Sequence, residues 1–254
     1  MEIDKIYNEE CISGMERIPD HTVDLIICDL PYGTTRNKWN VMIPLDKLWV
    51  QYKRILKSRG VVLLFAQPPF SAALGMSNIE WFRYEWIWNK KHATGFLNAK
   101  SHPLKLHENI LVFYRKPPTY NPQMVFGKTH WVSKRKAQGI RNYGKIEQTE
   151  SYKSSFRYPT DILEYKKDKD AFHPTQKPVE LIRYFIRTYT NEGDLVLDNC
   201  MGSGTTAVAC IQENRHFIGF EMNEEYYNKS IERIAKAKDD ESKSETGDRM
   251  EQSV

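Results

Sequence analysis

Short apolar runs separated by stretches of helical spacing set the rhythm of this chain. Val23-Asp24-Leu25-Ile26-Ile27-Cys28 reads as a buried strand and stops at Asp29-Leu30-Pro31-Tyr32-Gly33. Helical spacing follows around 45–57 and ends near Ser58-Arg59-Gly60, after which Val61-Val62-Leu63-Leu64-Phe65 is a second buried strand. Another helix is predicted near 69–77, and aromatic strands over 82–88 and 110–114. From Pro178, a residue suited to a first helical position, apolar residues at 179, 181, 182, 185, 186 and 189 share one helical face. Gly193 stops that helix. Leu195-Val196-Leu197 is a buried strand, Gly202-Ser203-Gly204-Thr205-Thr206 a tight loop, Ala207–Gln212 the start of a helix, and His216–Phe220 a last strand ending at Glu221. Strands alternating with helices predict an α/β fold with a doubly wound, mostly parallel sheet.

Residues 115–170 break this rhythm. They are rich in Tyr, Lys, Arg, Asn, Gly and Pro, and they hold thirteen Lys/Arg against six Asp/Glu. The formal charge of +4 is therefore concentrated there, and the rest of the chain is slightly acidic. The expected organisation is a main domain over 1–114 and 171–235, an insertion over 115–170, and a polar, disordered tail over 236–254. The composition, 40% hydrophobic and 28% charged, is that of a globular chain able to bury a sizeable core. Cys11, Cys28, Cys200 and Cys210 form no Cys-x-x-Cys pair, which argues against a zinc or redox site, and no metal is expected. No apolar signal region opens the chain and no apolar run is long enough to span a membrane, so a reducing cytoplasm is the simple expectation.

In open α/β sheets, ligands bind beyond the carboxyl ends of the strands, and two polar clusters fall at such positions. The first is Asp198 with Gly202-Ser203-Gly204-Thr205-Thr206-Ala207, followed by Glu221 at the end of the next strand. Glycines let the backbone bend sharply and come close to a ligand, and the later acid can accept hydrogen bonds from both hydroxyls of a ribose. The spacing also fits a dinucleotide fingerprint, which keeps a nucleotide-dependent oxidoreductase in view; a Walker-type loop does not fit, because no Lys-Ser/Thr follows the glycines. The second cluster is Asp29-Leu30-Pro31-Tyr32. An exocyclic amino group is a poor nucleophile because its lone pair is delocalised into the ring. Two acceptors gripping its hydrogens, the Asp29 carboxylate and the Leu30 carbonyl, would favour a more tetrahedral nitrogen, and Tyr32 offers a flat face for a base. Seen alone, each cluster also reads as an ordinary turn after a strand.

Together they carry a resemblance. Asp29-Leu30-Pro31-Tyr32 resembles the Asp-Pro-Pro-Tyr signature of the DNA amino-methyltransferases, which act on adenine N6 or cytosine N4. Asp198-Asn199-Cys200-Met201-Gly202-Ser203-Gly204-Thr205-Thr206 resembles their S-adenosylmethionine loop. Phe172-His173-Pro174-Thr175-Gln176-Lys177-Pro178 is similar to the segment before the cofactor strand in their β group, and the motif order is that of this group. The opening, Ile6-Tyr7-Asn8-Glu9-Glu10-Cys11, is similar to the start of small members, and the resemblance covers roughly 6–235.

The resemblance implies a Rossmann-like methyltransferase with S-adenosylmethionine as cofactor. Asp29 would hold the target amine, Tyr32 would stack on the base, and Pro31 would shape the turn. Gly202, Ser203, Gly204 and Thr205 would wrap the cofactor beside Asp198, Glu221 would bind its ribose, and Glu10 would lie near its adenine. Thr175 and Lys177 would lie near the methionine end, with Lys177 paired to the carboxylate or His173 simply fixing the loop. Two departures stand out: Leu30 replaces a proline, and Cys200 stands where the family often has Phe.

The implied reaction is base flipping followed by direct in-line methyl transfer. An Asp at position 29 resembles the adenine-directed forms; cytosine N4 stays open, as do RNA adenines and protein amides, while the intact Asp29 and glycine loop argue against a non-catalytic DNA-binding module. Cytosine C5 is disfavoured, because no cysteine follows a proline. Residues 115–170 are the expected DNA reader, with Lys134, Arg135, Lys136, Arg141, Lys145 and Arg157 on phosphates and Trp131, Tyr143 and Tyr152 interleaved. Lys91, in the run Lys90–Phe96, is expected at the border of the target pocket, and Arg36 and Lys38 in a loop that closes over the base. Trp81–Trp88 is expected in the core. Double-stranded DNA is the expected partner, with a homodimer and a separate cognate restriction endonuclease left open, and nucleoid association would follow from DNA binding.

Overall fold

Alternate residues of a strand face opposite sides of a sheet, so a strand that is apolar throughout needs cover on both. In Val23–Cys28, Leu25 and Ile27 join one buried cluster with Val61, Leu63 and Phe65, while Ile26 and Cys28 join a second with Val62 and Leu64. The computed structural model describes residues 1–32, 42–138, 145–169 and 175–251, without the side chains of 133–138, 145–150 and 244–251.

Within these residues the elements run β1 (Lys5–Tyr7), α1 (Cys11–Met15), β2 (Val23–Cys28), α2 (Leu45–Ile55), β3 (Leu56–Ala66), α3 (Phe70–Ser77), β4 (Phe82–Thr94), β5 (Lys105–Phe113), β6 (Val125–Gln138), β7 (Lys145–Arg157), β8 (Ile162–Glu164), α4 (Val179–Tyr189), β9 (Leu195–Asp198), α5 (Thr205–Gln212), β10 (His216–Phe220) and α6 (Glu224–Glu251). The main sheet has the order β1-β10-β9-β2-β3-β5-β4-β8. All its neighbours pair in parallel except β5, which is antiparallel to both β3 and β4. The fold is thus the expected Rossmann-like, mostly parallel α/β sheet.

Helices cover both faces. Ile182, Phe185 and Ile186 of α4 and Ala207, Ala209 and Cys210 of α5 join the first cluster. Met15 of α1, Leu48, Tyr52 and Ile55 of α2 and Leu74 of α3 join the second. Trp81, Trp86 and Trp88 are buried, as expected of core residues. Cys11, Cys28 and Cys210 are buried and Cys200 half-buried, all four as free thiols.

The chain divides into two compact units, 1–121 with 161–254, and 122–160. The second is narrower than the expected 115–170, because Ile162–Glu164 pairs in parallel with Ile87–Asn89 and Asn121 donates to the Thr188 carbonyl at 2.7 Å, returning both flanks to the sheet unit. The second unit is an antiparallel ribbon of β6 and β7, running from Val125 opposite Arg157 to Gln138 opposite Lys145. The tail expected to be disordered from 236 instead continues α6 to Glu251. Its Lys, Glu and Ala residues are strong helix formers, which a reading of charge alone overlooks. Among the described residues, no helix is long and apolar enough to cross a membrane.

Candidate active site

β2 and β9 lie side by side in parallel, Leu25 opposite Val196 and Ile26 opposite Leu197. The chain leaving β2 reaches α2 on one face of the sheet, and the chain leaving β9 enters α5 on the other. A crevice opens where neighbouring strands part in this way. Asp29 and Asp198 emerge on its two sides, and a cavity of about 660 Å³ joins them with Glu10, Tyr32, Lys177 and Glu221.

The glycine loop forms one end. Gly202 and Gly204 have φ of +53° and +75°, the left-handed region that a side chain resists, and a Cβ on Gly204 would meet Ser230 Cβ at 3.0 Å. The Glu221 carboxylate accepts the Gly202 N–H through Oε2 and the Asn223 N–H through Oε1, each at 2.8 Å. Burial raises this carboxyl above its usual value. Asp198 accepts the Thr206 hydroxyl at 2.6 Å and the Cys200 N–H at 3.1 Å, and burial pushes its pKa up to about 6. Arg233 of α6 donates to the Ser203 carbonyl at 3.0 Å and the Thr205 hydroxyl at 2.9 Å, pinning the loop from behind. Glu10 caps α1, accepting from the N–H groups of Ile12 and Ser13 at 2.9 Å; burial opposes its charge, but these bonds hold its carboxyl below the usual value.

The other end is a row of alternating charges. Lys177 donates to Asp29 Oδ2 at 2.5 Å and lies 3.4 Å from Glu108 Oε2, and Lys90 donates to Glu108 Oε1 at 3.4 Å. Lys90, Glu108 and Lys177 are buried. Burial works against the Glu108 charge, yet the two ammonium groups hold its carboxyl below the usual range. Burial likewise opposes charge on Lys177, and Asp29 and Glu108 overcome it and raise its pKa. On Lys90 burial prevails and lowers the pKa. The Tyr32 hydroxyl donates to Asp29 Oδ1 at 2.6 Å while its ring lies 5.1 Å from that of Phe70, centroid to centroid; burial and the Asp29 charge push the phenol well above its usual pKa.

The structure therefore brings Glu10, Asp29, Leu30, Pro31, Tyr32, Thr175, Lys177, Asp198, Gly202, Ser203, Thr205 and Glu221 around one cavity, with Gly204 in the same loop. Lys177, for which pairing with a ligand carboxylate was one of the expected roles, lies against two carboxylates of the protein, Asp29 and Glu108. Tyr32, expected to stack on the base, lines the cavity and donates its hydroxyl to Asp29. Lys91 is exposed and paired with Glu164. Arg157 is exposed at the end of β7. Lys134, Arg135 and Lys136 lie on β6 and Lys145 on β7, their side chains outside the description; Arg36, Lys38, Arg141, Tyr143 and His173 lie outside the described residues.

Sequence reasoning missed Glu108, Phe70 and Arg233. A lone acid two residues before the apolar run Ile110–Phe113 was a signal, since a charge entering a buried strand needs a partner. Nothing local marked Arg233, whose partners lie 28 and 30 residues away.

A family model described as DNA methylase matches residues 23–233. Type II methyltransferase M1.MboII of Moraxella bovis is 28% identical, over 91% of this chain and 96% of that protein. The DNA adenine methyltransferase YhdJ of Escherichia coli (strain K12) is 26% identical, over 90% and 82%. Among solved structures, the M1.HpyAVI–SAM complex aligns with a TM-score of 0.61 at 22% identity, over 90% of this chain and 98% of that one. The cytosine-N4-specific PvuII DNA methyltransferase aligns with a TM-score of 0.64 at 15% identity, over 92% and 91%.

Proposed function

The chain belongs to the DNA methylase family, and from that premise we propose that it transfers the methyl group of S-adenosylmethionine to the exocyclic N6 of adenine in duplex DNA. The observation that carries this reading is the meeting of Asp29-Leu30-Pro31-Tyr32 and the glycine loop around a single cavity.

The cavity suits the cofactor. Its volume is in the range of small-molecule sites. Each Glu221 oxygen receives one backbone N–H and keeps lone-pair capacity for a ribose hydroxyl. The bound cofactor supplies a methyl group on a positively charged sulfur, a good leaving group.

The protein positions and orients. In the duplex the target amine is hidden in the stack, so the base is flipped into the cavity at a cost of roughly a few kcal/mol. Asp29 Oδ1, now accepting from Tyr32, passes to the amine, and the freed Tyr32 ring covers the base. The Leu30 carbonyl takes the second amine hydrogen. Lys177 fixes the other oxygen of Asp29, leaving one acceptor for the substrate. The amine's lone pair would take that methyl and leave a neutral thioether, and the methylated amine would then give its proton to solvent water. Asp29 need not be a strong base, because the nitrogen becomes acidic only once methylated.

The ribbon of 122–160 is the proposed DNA reader, with eight Lys/Arg against two Asp/Glu. Trp131 is exposed with Lys153 Nζ 5.3 Å from its ring centre, and two-stranded ribbons fit a major groove. Adenine is favoured over cytosine by Asp at position 29 and by the likeness to an adenine-directed relative.

The test incubates the protein with methyl-labelled S-adenosylmethionine and unmethylated duplex DNA, then identifies the labelled nucleoside, with Asp29→Ala alongside. N6-methyladenine that is absent from the variant is the expected result. N4-methylcytosine would keep the mechanism and overturn the choice of base. Cofactor binding with no labelled nucleoside would point to RNA or protein, and failure to bind the cofactor would end the methyltransferase reading.

A further inference from the structure

The chain between Glu85 and Glu108 contains no Asp or Glu, and it carries Lys90, Lys91, Lys100 and Lys105 with His92, His102 and His107. It forms the end of β4, the start of β5 and the turn between them, which Thr94 opposite Lys105 closes. The turn has its own internal bonds. Gly95, at φ +88°, accepts the Asn98 N–H at 3.0 Å, Phe96 accepts the Ala99 N–H at 3.2 Å, and the Asn98 carbonyl accepts the N–H groups of Ser101 at 2.9 Å and His102 at 3.1 Å. This frame holds Phe96 and Leu97 outward, 77% and 85% exposed, with Leu104 and Leu106 also exposed. Adjacent large apolar side chains held out in water mark a contact surface.

The root of the turn reaches the active site. Lys90 donates to the Thr94 hydroxyl at 3.2 Å and to Glu108, the partner of Lys177. Lys105 donates to the Gln67 side chain at 3.1 Å, and Gln67 lines a recess of about 80 Å³ with Asp29, Tyr32 and Trp88. The turn therefore rises from the Asp29 end of the site.

We propose that this turn is a DNA wedge. Phe96 and Leu97 enter the base stack beside the target and occupy the gap its departure leaves, while Lys100, Lys105 and His102 meet the flanking phosphates. The charge selects the partner: beyond Thr94 the turn carries Lys100, His102 and Lys105 and no acid, so a second copy of the chain would set this basic turn against itself, whereas a phosphate backbone complements it. The inference rests on the DNA-methylation reading above.

The test compares wild type with Phe96→Ala/Leu97→Ala on a duplex carrying the methylated site, located by labelling DNA fragments of known sequence, and on the same duplex with the target base mismatched. The expected result is a fall in kcat/KM of about tenfold or more on the matched duplex, largely restored by the mismatch, because an unpaired base costs less to extrude. The cofactor-induced rise in Tm should be unchanged, and Phe96→Trp, which keeps a large flat side chain, should retain activity. Equal kcat/KM for wild type and the double variant would overturn the wedge. So would a loss that the mismatch leaves in place, or a changed sedimentation coefficient, which would make the patch a contact between copies. Failure of the wild type to label any DNA nucleoside would instead defeat the parent reading, and the wedge with it.

Discussion

Asp198 and Glu221 at the glycine loop and Asp29 and Glu108 across the cavity are all acids at the carboxyl edge of one sheet, held by opposite means. The first pair is gripped by neutral donors, two backbone N–H groups on Glu221 and a hydroxyl and an N–H on Asp198. Burial wins there, and both carboxyls titrate above their usual range. In the second pair, Asp29 and Glu108 share Lys177, and Glu108, also facing Lys90, is held below the carboxylate range despite its burial. Neutral donors fix a shape and suit a ligand recognised by hydroxyl groups. Paired ammonium groups fix a charge, which a group that must stay an acceptor through a reaction requires.

Removing the shared cation should break this contrast most severely. Lys177→Met leaves Asp29 and Glu108 facing each other with the Lys90 ammonium alone, a loss of about 3–5 kcal/mol for a buried ion pair deprived of one partner, measured by urea unfolding. An unchanged midpoint would mean that the paired charges of the row contribute nothing to stability. On the neutral side, Glu221→Gln replaces one acceptor oxygen with a donor facing a backbone N–H. That should cost about 1–3 kcal/mol of cofactor binding, roughly a tenfold to hundredfold rise in Kd by calorimetry, with kcat at saturation near wild type.

Glu108→Gln sharpens the comparison from the charged side. With one lysine no longer balanced, Lys177 shifts its hold on Asp29, and kcat should fall by about tenfold while cofactor Kd stays unchanged. A rise in Kd with kcat intact would place Glu108 with the cofactor scaffold. The smallest effect is one of pH. The folded state holds the Asp198 proton up to about pH 6, above the unfolded value near 4, so this group's contribution to stability is full below about pH 4 and is lost as pH rises to about 6. Asp198→Asn should remove that dependence, a slope of at most about 1.4 kcal/mol per pH unit, in unfolding curves taken between pH 4 and 7.

Both ends of the cavity were legible as motifs because each is short, contiguous and placed at a strand end. The row behind Asp29 was not, because Lys90, Glu108 and Lys177 come from three separate segments. The ribbon was read only as an irregular insertion. Phe126, Trp131 and Phe156 are all exposed, so its strands lack the alternation of apolar and polar positions that a half-buried sheet imprints.

By itself the sequence determined the alternating α/β plan, the two strand-end motifs and the concentration of basic charge in one segment. These are local properties, set by hydrophobic periodicity, glycine placement and charge along the chain. The tertiary structure decided which strands are neighbours. It put β2 against β9, and so brought Asp29 and Glu221 to one cavity although 192 residues part their numbers. It also gave Lys177 to Asp29 and Glu108, because burying any of these charges is tolerable only where the others complete the row.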